Sequence, residues 1–379
     1  RDVLGSRGLG DVYKRQMMTG VYIHVPFCSK KCPYCDFYSC NYSIKSAEKY
    51  KNAVIRNIRN LPHADVDTVY FGGGTPSIIP SEYIAEIIEA LECRFNLISP
   101  EITIEINPCT VTEAKLNSYK IAGINRLSVG VQSGNNDELE FLGRSHSFEK
   151  AADTIMLAAE TGFYNISCDL MIALKDQTFE KLECSVTNII NLPIQHVSSY
   201  ILKVEKETPF YKNKTWKLLP DDDQIADLYL YTVKLLEESG FKQYEISNFS
   251  KIGYKSRHNM KYWKCEEYLG IGPSAHSYFN GKRYYVPDDL DSFCENDHQI
   301  IINEKTDLGS GNERIMLGLR LTEGINLEDF DNNLDLYKRS MKYCKNGFAE
   351  LNDNYLKLTP KGFLVSNSII TDLLYGNGM

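Results

Sequence analysis

The chain has 379 residues, 43% of them hydrophobic and 24% charged, with a formal net charge of -8. That length supports one large barrel and a smaller domain, and the apolar share suffices for a buried core without a partner. The negative balance argues against a general nucleic-acid binder, and the lack of a long apolar run or secretory leader makes the cytoplasm the expected compartment.

Residues 1–16 carry no helix or strand pattern continuous with the chain beyond Met17 and Met18, and they read as a non-native leader. A short β-like run at 20–25 then ends at Pro26, and an amphipathic helix is expected at 46–61. The unit repeats. Strands at 68–71, 101–106, 126–131, 165–171 and 196–201 alternate with helices at 81–95, 112–122, 148–161, 179–191 and 223–239. Regular βα alternation implies parallel strands with right-handed crossovers, and six units make a partial (β/α)6 barrel the natural architecture. Past Tyr285 the alternation stops. Helices at 312–319, 327–331 and 334–346, a strand at 356–359 and a helix at 362–374 predict a small, mainly helical domain. The expected domains are therefore 17–290 and 300–379.

Between the first strand and the first helix lie Cys28, Cys32 and Cys35, in the run Cys-Ser-Lys-Lys-Cys-Pro-Tyr-Cys. Soft thiolates select iron-sulfur, zinc or copper(I). Three thiolates in one loop hold a cubane cluster and leave one iron open, unlike the paired Cys-x2-Cys knuckles of structural zinc. The other eight of the 11 cysteines (Cys40, Cys93, Cys109, Cys168, Cys184, Cys265, Cys294 and Cys344) show no pairing pattern and read as reduced.

Gly72-Gly73-Gly74-Thr75-Pro76 closes the second strand, where glycines let backbone amides approach a ligand. Other strand ends or their loops carry Glu105, Gln132, Arg144 and Asp169. A carboxylate there suits ribose hydroxyls, and an arginine suits a carboxylate, although capping and salt bridging also use such residues. His24 reads as support for the cysteine loop and His276 as a satisfied loop histidine. No His-Glu-x-x-His or G-x-S-x-G motif is present, which excludes zincins and serine hydrolases built on that elbow.

The CX3CX2C run, with Tyr34 before its last cysteine, resembles the signature of the radical S-adenosylmethionine (SAM) enzymes. The resemblance implies a partial barrel and a [4Fe-4S] cluster on Cys28, Cys32 and Cys35. It also implies that the open iron chelates SAM, whose sulfonium is split by an injected electron to a 5'-deoxyadenosyl radical. Carried over residue by residue, Tyr22, Gly73, Gly74, Thr75, Glu105 and Arg144 become the expected SAM contacts. Two classes compete within the family, oxygen-independent coproporphyrinogen III dehydrogenases and HemW-like heme chaperones, and a radical SAM enzyme acting on an unrelated substrate is a third reading because the barrel motifs specify only the cofactor. The dehydrogenase pattern has a further cysteine where this chain has Phe37, and a long N-terminal extension that this sequence does not show before Tyr22. A dehydrogenase would also need a second SAM, near Gln132 and Asp169. Arg257-His258-Asn259-Met260-Lys261-Tyr262-Trp263 contains HNXXYW, which resembles the chaperones' heme-associated motif and puts His258 at or near heme. The expected cargo is heme, and the expected partners are an electron donor and a heme-acceptor protein, with room for an acceptor peripheral to a membrane. A HemN-like domain is the expected C-terminal unit.

Overall fold

Runs rich in β-branched residues form all six expected strands in the computed structural model, which describes residues 18–304 and 309–376. They are β1 Thr19–Val25, β2 Asp65–Gly73, β3 Asn96–Ile106, β4 Arg126–Gln132, β5 Ile166–Ile172 and β6 His196–Ile201. Neighbours in sequence are neighbours in the sheet, and every pair is parallel. Such strands are covered on both faces, so β1 and β4 are almost wholly buried rather than alternating. The core runs through Val21, Ile23, Phe71, Ile104, Leu127 and Val197.

The covering helices are α1 Ile44–Asn60, α2 Ser81–Arg94, α3 Glu113–Ile121, α4 Phe148–Glu160, α5 Phe179–Ile190 and α6 Asp222–Glu238. Local chemistry starts most of them. Ser43, Thr112, Ser147, Thr178 and Asp221 each accept a hydrogen bond from the third helical N–H, a cap that contributes about 1 kcal/mol. The first helix therefore begins two residues earlier than the expected 46, because Ser43 and not Ser46 caps it.

Two features were not expected. A seventh parallel strand, β7 Tyr268–Ile271, pairs with the free edge of β1, and β8 His276–Phe279 and β9 Lys282–Tyr285 continue the sheet as an antiparallel hairpin. The C-terminal part is mainly helical as expected, but the expected strand, found at Tyr355–Leu358, is joined by Ile325–Asn326 and Ala349–Asn352 in a three-stranded antiparallel sheet. Its tight turn, Asp353-Asn354, has φ of 47° and 66°, which suits the two-residue connection of a twisted hairpin. The leader at 1–16 lies outside the described residues. Among the described residues no helix is long and apolar enough to cross a membrane.

Glu245 joins the two parts of the fold: its backbone bridges to Leu321, and its side chain is fully buried. One carboxylate oxygen accepts from the Ser247 N–H at 3.0 Å, while the other has no partner among the described residues. Burial pushes its pKa from 4.5 up to about 7. A raised carboxylate favours folding fully below pH 4.5 and loses that contribution as pH rises through about 7. Glu245→Gln is therefore expected to stabilise the fold by up to about 3 kcal/mol near pH 8 and by nothing near pH 4. Denaturant titration at both pH values checks this; a variant less stable near pH 8 would show that the anion is held by a partner.

Candidate cluster and cofactor site

β1 runs through Pro26 into Phe27–Cys28, which pairs in parallel with Cys40–Asn41 and so closes the cysteine loop at its base. Within the loop the Cys35 N–H donates to the Cys32 carbonyl at 3.1 Å. The Pro33 carbonyl accepts from the Phe210 N–H at 2.9 Å, and the Tyr34 and Phe210 rings lie 6.2 Å apart. The glycine loop after β2 is laced to the same segment. Gly74 N–H donates to the Val25 carbonyl at 2.9 Å, and Thr75 N–H to the Phe27 carbonyl at 2.7 Å. Gly73 has φ of 109°, and a Cβ there would fall 2.6 Å from the His24 ring. Glycine is required at that position by both conformation and space.

The C-terminal ends of the strands and the cysteine loop enclose a cavity of about 470 Å³. Cys28, Cys32, Cys35, Gly73, Gly74, Thr75, Glu105, Gln132, Arg144 and Asp169 all line it. The thiols are free, and among the described residues no three metal-binding side chains converge on the point a single ion would take. The cysteines are arrayed around a larger space instead. Cys40 is outside it, its thiol donating to the Tyr38 hydroxyl at 3.3 Å.

Charge is concentrated in this cavity. Glu105 accepts from the Tyr70 hydroxyl at 3.0 Å and from the Gly73 N–H at 3.2 Å; burial, reinforced by the Asp169 charge, pushes its pKa up to about 7. Asp169 accepts from the Ser128 hydroxyl at 3.3 Å, and burial pushes it up to about 6. Arg144 places Nη1 3.5 Å from the Cys32 sulfur and donates through Nη2 to the Gly130 carbonyl at 3.0 Å. Its Nε is buried with no partner among the described residues. Gln132 has φ of 74°, beside a register shift between β4 and β5 that re-aims the strand end. Met171 and Tyr200, near the ends of β5 and β6, also line the cavity but were not among the expected residues. Their signal was positional, since working residues gather at the C-terminal ends of barrel strands.

Two expected residues are elsewhere. Tyr22 does not line this cavity; its ring packs against both Tyr70 and His258, with centroids 6.2 and 6.4 Å away, and its hydroxyl meets His24 Nδ1 at 3.1 Å. The Tyr22 ring lies against the start of the glycine loop, where a Cβ at Gly72 would fall 3.1 Å from it. His258 sits in helix α7, Arg257–Trp263, which is capped by Ser256 and by the Glu101 carboxylate accepting the Arg257 and His258 N–H groups. It is 1% exposed. Both ring nitrogens are engaged, Nδ1 with the Thr68 hydroxyl at 2.9 Å and Nε2 with the Tyr262 hydroxyl at 2.8 Å. Burial and then the Lys261 charge push its pKa down to about 3. In this arrangement the His258 ring ties α7 to β2. His24 is likewise engaged on both nitrogens, by Tyr22 and by the Tyr38 carbonyl, and supports the loop as expected.

A second, more open cleft of about 900 Å³ lies between β7–β9 and the helices Gly311–Gly318 and Ser366–Tyr375. Tyr22, Tyr262, Trp263 and His276 line it. Phe37 is 62% exposed and lines both cavities.

The sequence pattern of the radical SAM superfamily matches residues 22–189, and that of the HemN C-terminal domain matches 310–365. The chain is 34% identical to the heme chaperone HemW of Bacillus subtilis, over 93% of this chain and 98% of that protein. It is 31% identical to a mitochondrial radical S-adenosyl methionine domain-containing protein 1 of Danio rerio, over 93% of this chain and 86% of that one. Among solved structures, the coproporphyrinogen III oxidase HemN of Escherichia coli superposes with a TM-score of 0.81 at 20% identity, covering 94% of this chain and 90% of that one. That likeness establishes the fold alone. The chain belongs to the radical SAM superfamily, whose members use a [4Fe-4S] cluster and SAM, and within it to the HemW family.

Proposed function

We propose that this protein takes up heme and hands it to an acceptor protein, with a [4Fe-4S] cluster and SAM held beside the heme. The observation that carries the reading is the aromatic cleft, which adjoins the cysteine-lined cavity through Phe37 and is large enough for a tetrapyrrole. The acceptor is a heme-free protein, soluble or peripheral to a membrane, and a one-electron donor serves the cluster. Nucleic acid has no part in it.

The residues fit the cofactors. Three thiols around one cavity, a glycine cradle that a Cβ would fill and an arginine with an orphaned Nε suit a cluster with one open iron and a ligand bearing a carboxylate. Cys28, Cys32 and Cys35 would hold the cluster, and Gly73, Gly74, Thr75, Glu105 and Arg144 would hold SAM. Bound there, the cluster would supply an electron to the sulfonium of SAM. The protein's own work is orientation and exclusion of water. Gln132 and Asp169 sit on the same wall and complete its polar side, while Tyr22 supports the loop.

Anaerobic titration of the cluster-reconstituted protein with hemin tests the proposal, with coproporphyrinogen III, SAM and a reductant assayed in parallel. One heme per chain, released to an added heme-free acceptor, with no protoporphyrinogen, is the expected result. Porphyrinogen turnover, or no heme uptake, would overturn it.

Glu105 gives the SAM site a pH dependence. As a carboxylate it accepts from hydroxyl donors, and with a pKa of about 7 it loses that capacity as pH falls through neutrality. SAM affinity should therefore weaken by roughly tenfold between about pH 8 and pH 6. Glu105→Gln should bind SAM more weakly near pH 8 with a flatter profile; a wild-type slope in the variant would assign the titration elsewhere.

A further inference from the structure

We propose that His276, oriented by Glu304, is the axial ligand to heme iron, in the cleft between β8–β9 and the helix Gly311–Gly318. The assignment rests on the heme-carrying role proposed above and names its site. An axial imidazole must be neutral at one nitrogen, aim that nitrogen into a cavity, and be held by an acceptor at the other. His276 lines the cleft and has such an acceptor. Its Nδ1 lies 3.0 Å from a Glu304 carboxylate oxygen, so a neutral imidazole that donates Nδ1–H there keeps its lone pair on Nε2. Nε2 has no hydrogen-bond partner among the described residues. The side chain is 54% exposed within the cleft, and its ring stacks on Tyr285 with centroids 5.4 Å apart and planes at 25°.

No other described histidine combines these features. His24 is the only other one lining the cleft, and both its nitrogens are bonded. His146, His196 and His258 are buried. His63 and His298 are not on this surface.

The cleft suits a porphyrin in other respects. Its volume is near the upper end of ordinary ligand pockets, about 300–1,000 Å³. Tyr262, Trp263 and Tyr268 supply flat apolar faces, and Met316 lies on the helical wall. Arg283, which donates to Glu313 at 2.7 Å and to the Tyr268 hydroxyl at 3.1 Å, lines the same space. Its Nε has no partner among the described residues, and guanidinium groups pair well with the carboxylates a heme carries. The HNXXYW run thus contributes its Tyr and Trp to the cleft wall, while its His holds the wall in place from behind.

The test is an anaerobic hemin titration of the full, cluster-reconstituted chain, read by absorption and electron paramagnetic resonance, in wild type, His276→Ala, His276→Gly, His258→Ala and Glu304→Gln. Iron content of each variant before heme addition reports that the fold is intact. Removal of His276 is expected to abolish the histidine-ligated signature and weaken binding by roughly tenfold or more, and free imidazole should restore the signature in His276→Gly. Glu304→Gln should keep ligation but shift the spectrum, because the imidazole becomes less basic. A histidine-ligated spectrum unchanged in His276→Ala would overturn the assignment while leaving heme carriage intact. Absence of heme uptake by wild type would overturn heme carriage itself, and the ligand assignment with it.

Discussion

Cys32→Ser protein, reconstituted with iron and sulfide under anaerobic conditions, is expected to retain almost none of the roughly four irons per chain that the wild type should hold. A cubane on three thiolates has no spare ligand, and hydroxyl oxygen is a poor substitute for sulfur at these irons. Cys32 also accepts a hydrogen bond from Arg144 Nη1 at 3.5 Å, so the change removes the sulfur that the guanidinium contacts. The informative comparison is Cys40→Ser. Cys40 comes soon after the three ligands in sequence, but its thiol bonds to Tyr38 outside the cavity, and this variant should keep its full iron content. Equal iron in wild type and Cys32→Ser would sink the ligand assignment. Equal loss in both variants would mean that serine damages the loop rather than the coordination.

The barrel was legible because each βα unit announces itself within some thirty residues, through an apolar run, a cap and an amphipathic helix. The cysteine and glycine loops were legible for the same reason: spacing and residue type are local properties. What escaped the sequence was set by distant partners. Nothing near His258 shows that Thr68, 190 residues earlier, takes one of its nitrogens. Tyr22 belongs to the strand that leads to the cluster loop, yet its ring packs against Tyr70 and His258. Conversely, the Glu304 that orients His276 lies 28 residues away on the far side of a hairpin. That hairpin itself was missed because its strands, His-Ser-Tyr-Phe and Lys-Arg-Tyr-Tyr, show no apolar-polar alternation. The Asp353-Asn354 turn did carry a readable signal, two adjacent residues tolerant of positive φ between short β-prone runs.

Gly74→Ala is expected to weaken SAM binding by roughly a hundredfold while leaving most of the cluster in place, because the methyl group strikes backbone rather than side chain. A Cβ at Gly74 would lie 2.7 Å from the Phe27 carbonyl oxygen, 2.9 Å from the Phe27 nitrogen and 3.0 Å from the Val25 carbonyl oxygen. None of these atoms can rotate away. The glycine loop must therefore lift off the segment leading to Cys28, and the hydrogen bonds from Gly74 and Thr75 N–H to that segment are the ones lost. Lifting the loop also withdraws the Gly73 N–H from the Glu105 carboxylate and Thr75 from its 3.5 Å contact with the Cys28 sulfur. Overpacking of this kind costs about 1–3 kcal/mol of stability. The cysteines keep their spacing, so iron content should fall far less than SAM affinity. Gly311→Ala is the control, since its added carbon would meet only a Phe330 ring atom at an ordinary 3.5 Å. Equilibrium SAM binding and iron analysis on the same samples separate the outcomes. Wild-type SAM affinity in Gly74→Ala would show that the backbone of this loop is not part of the SAM surface, whereas loss of SAM with the cluster retained is what a backbone cradle requires.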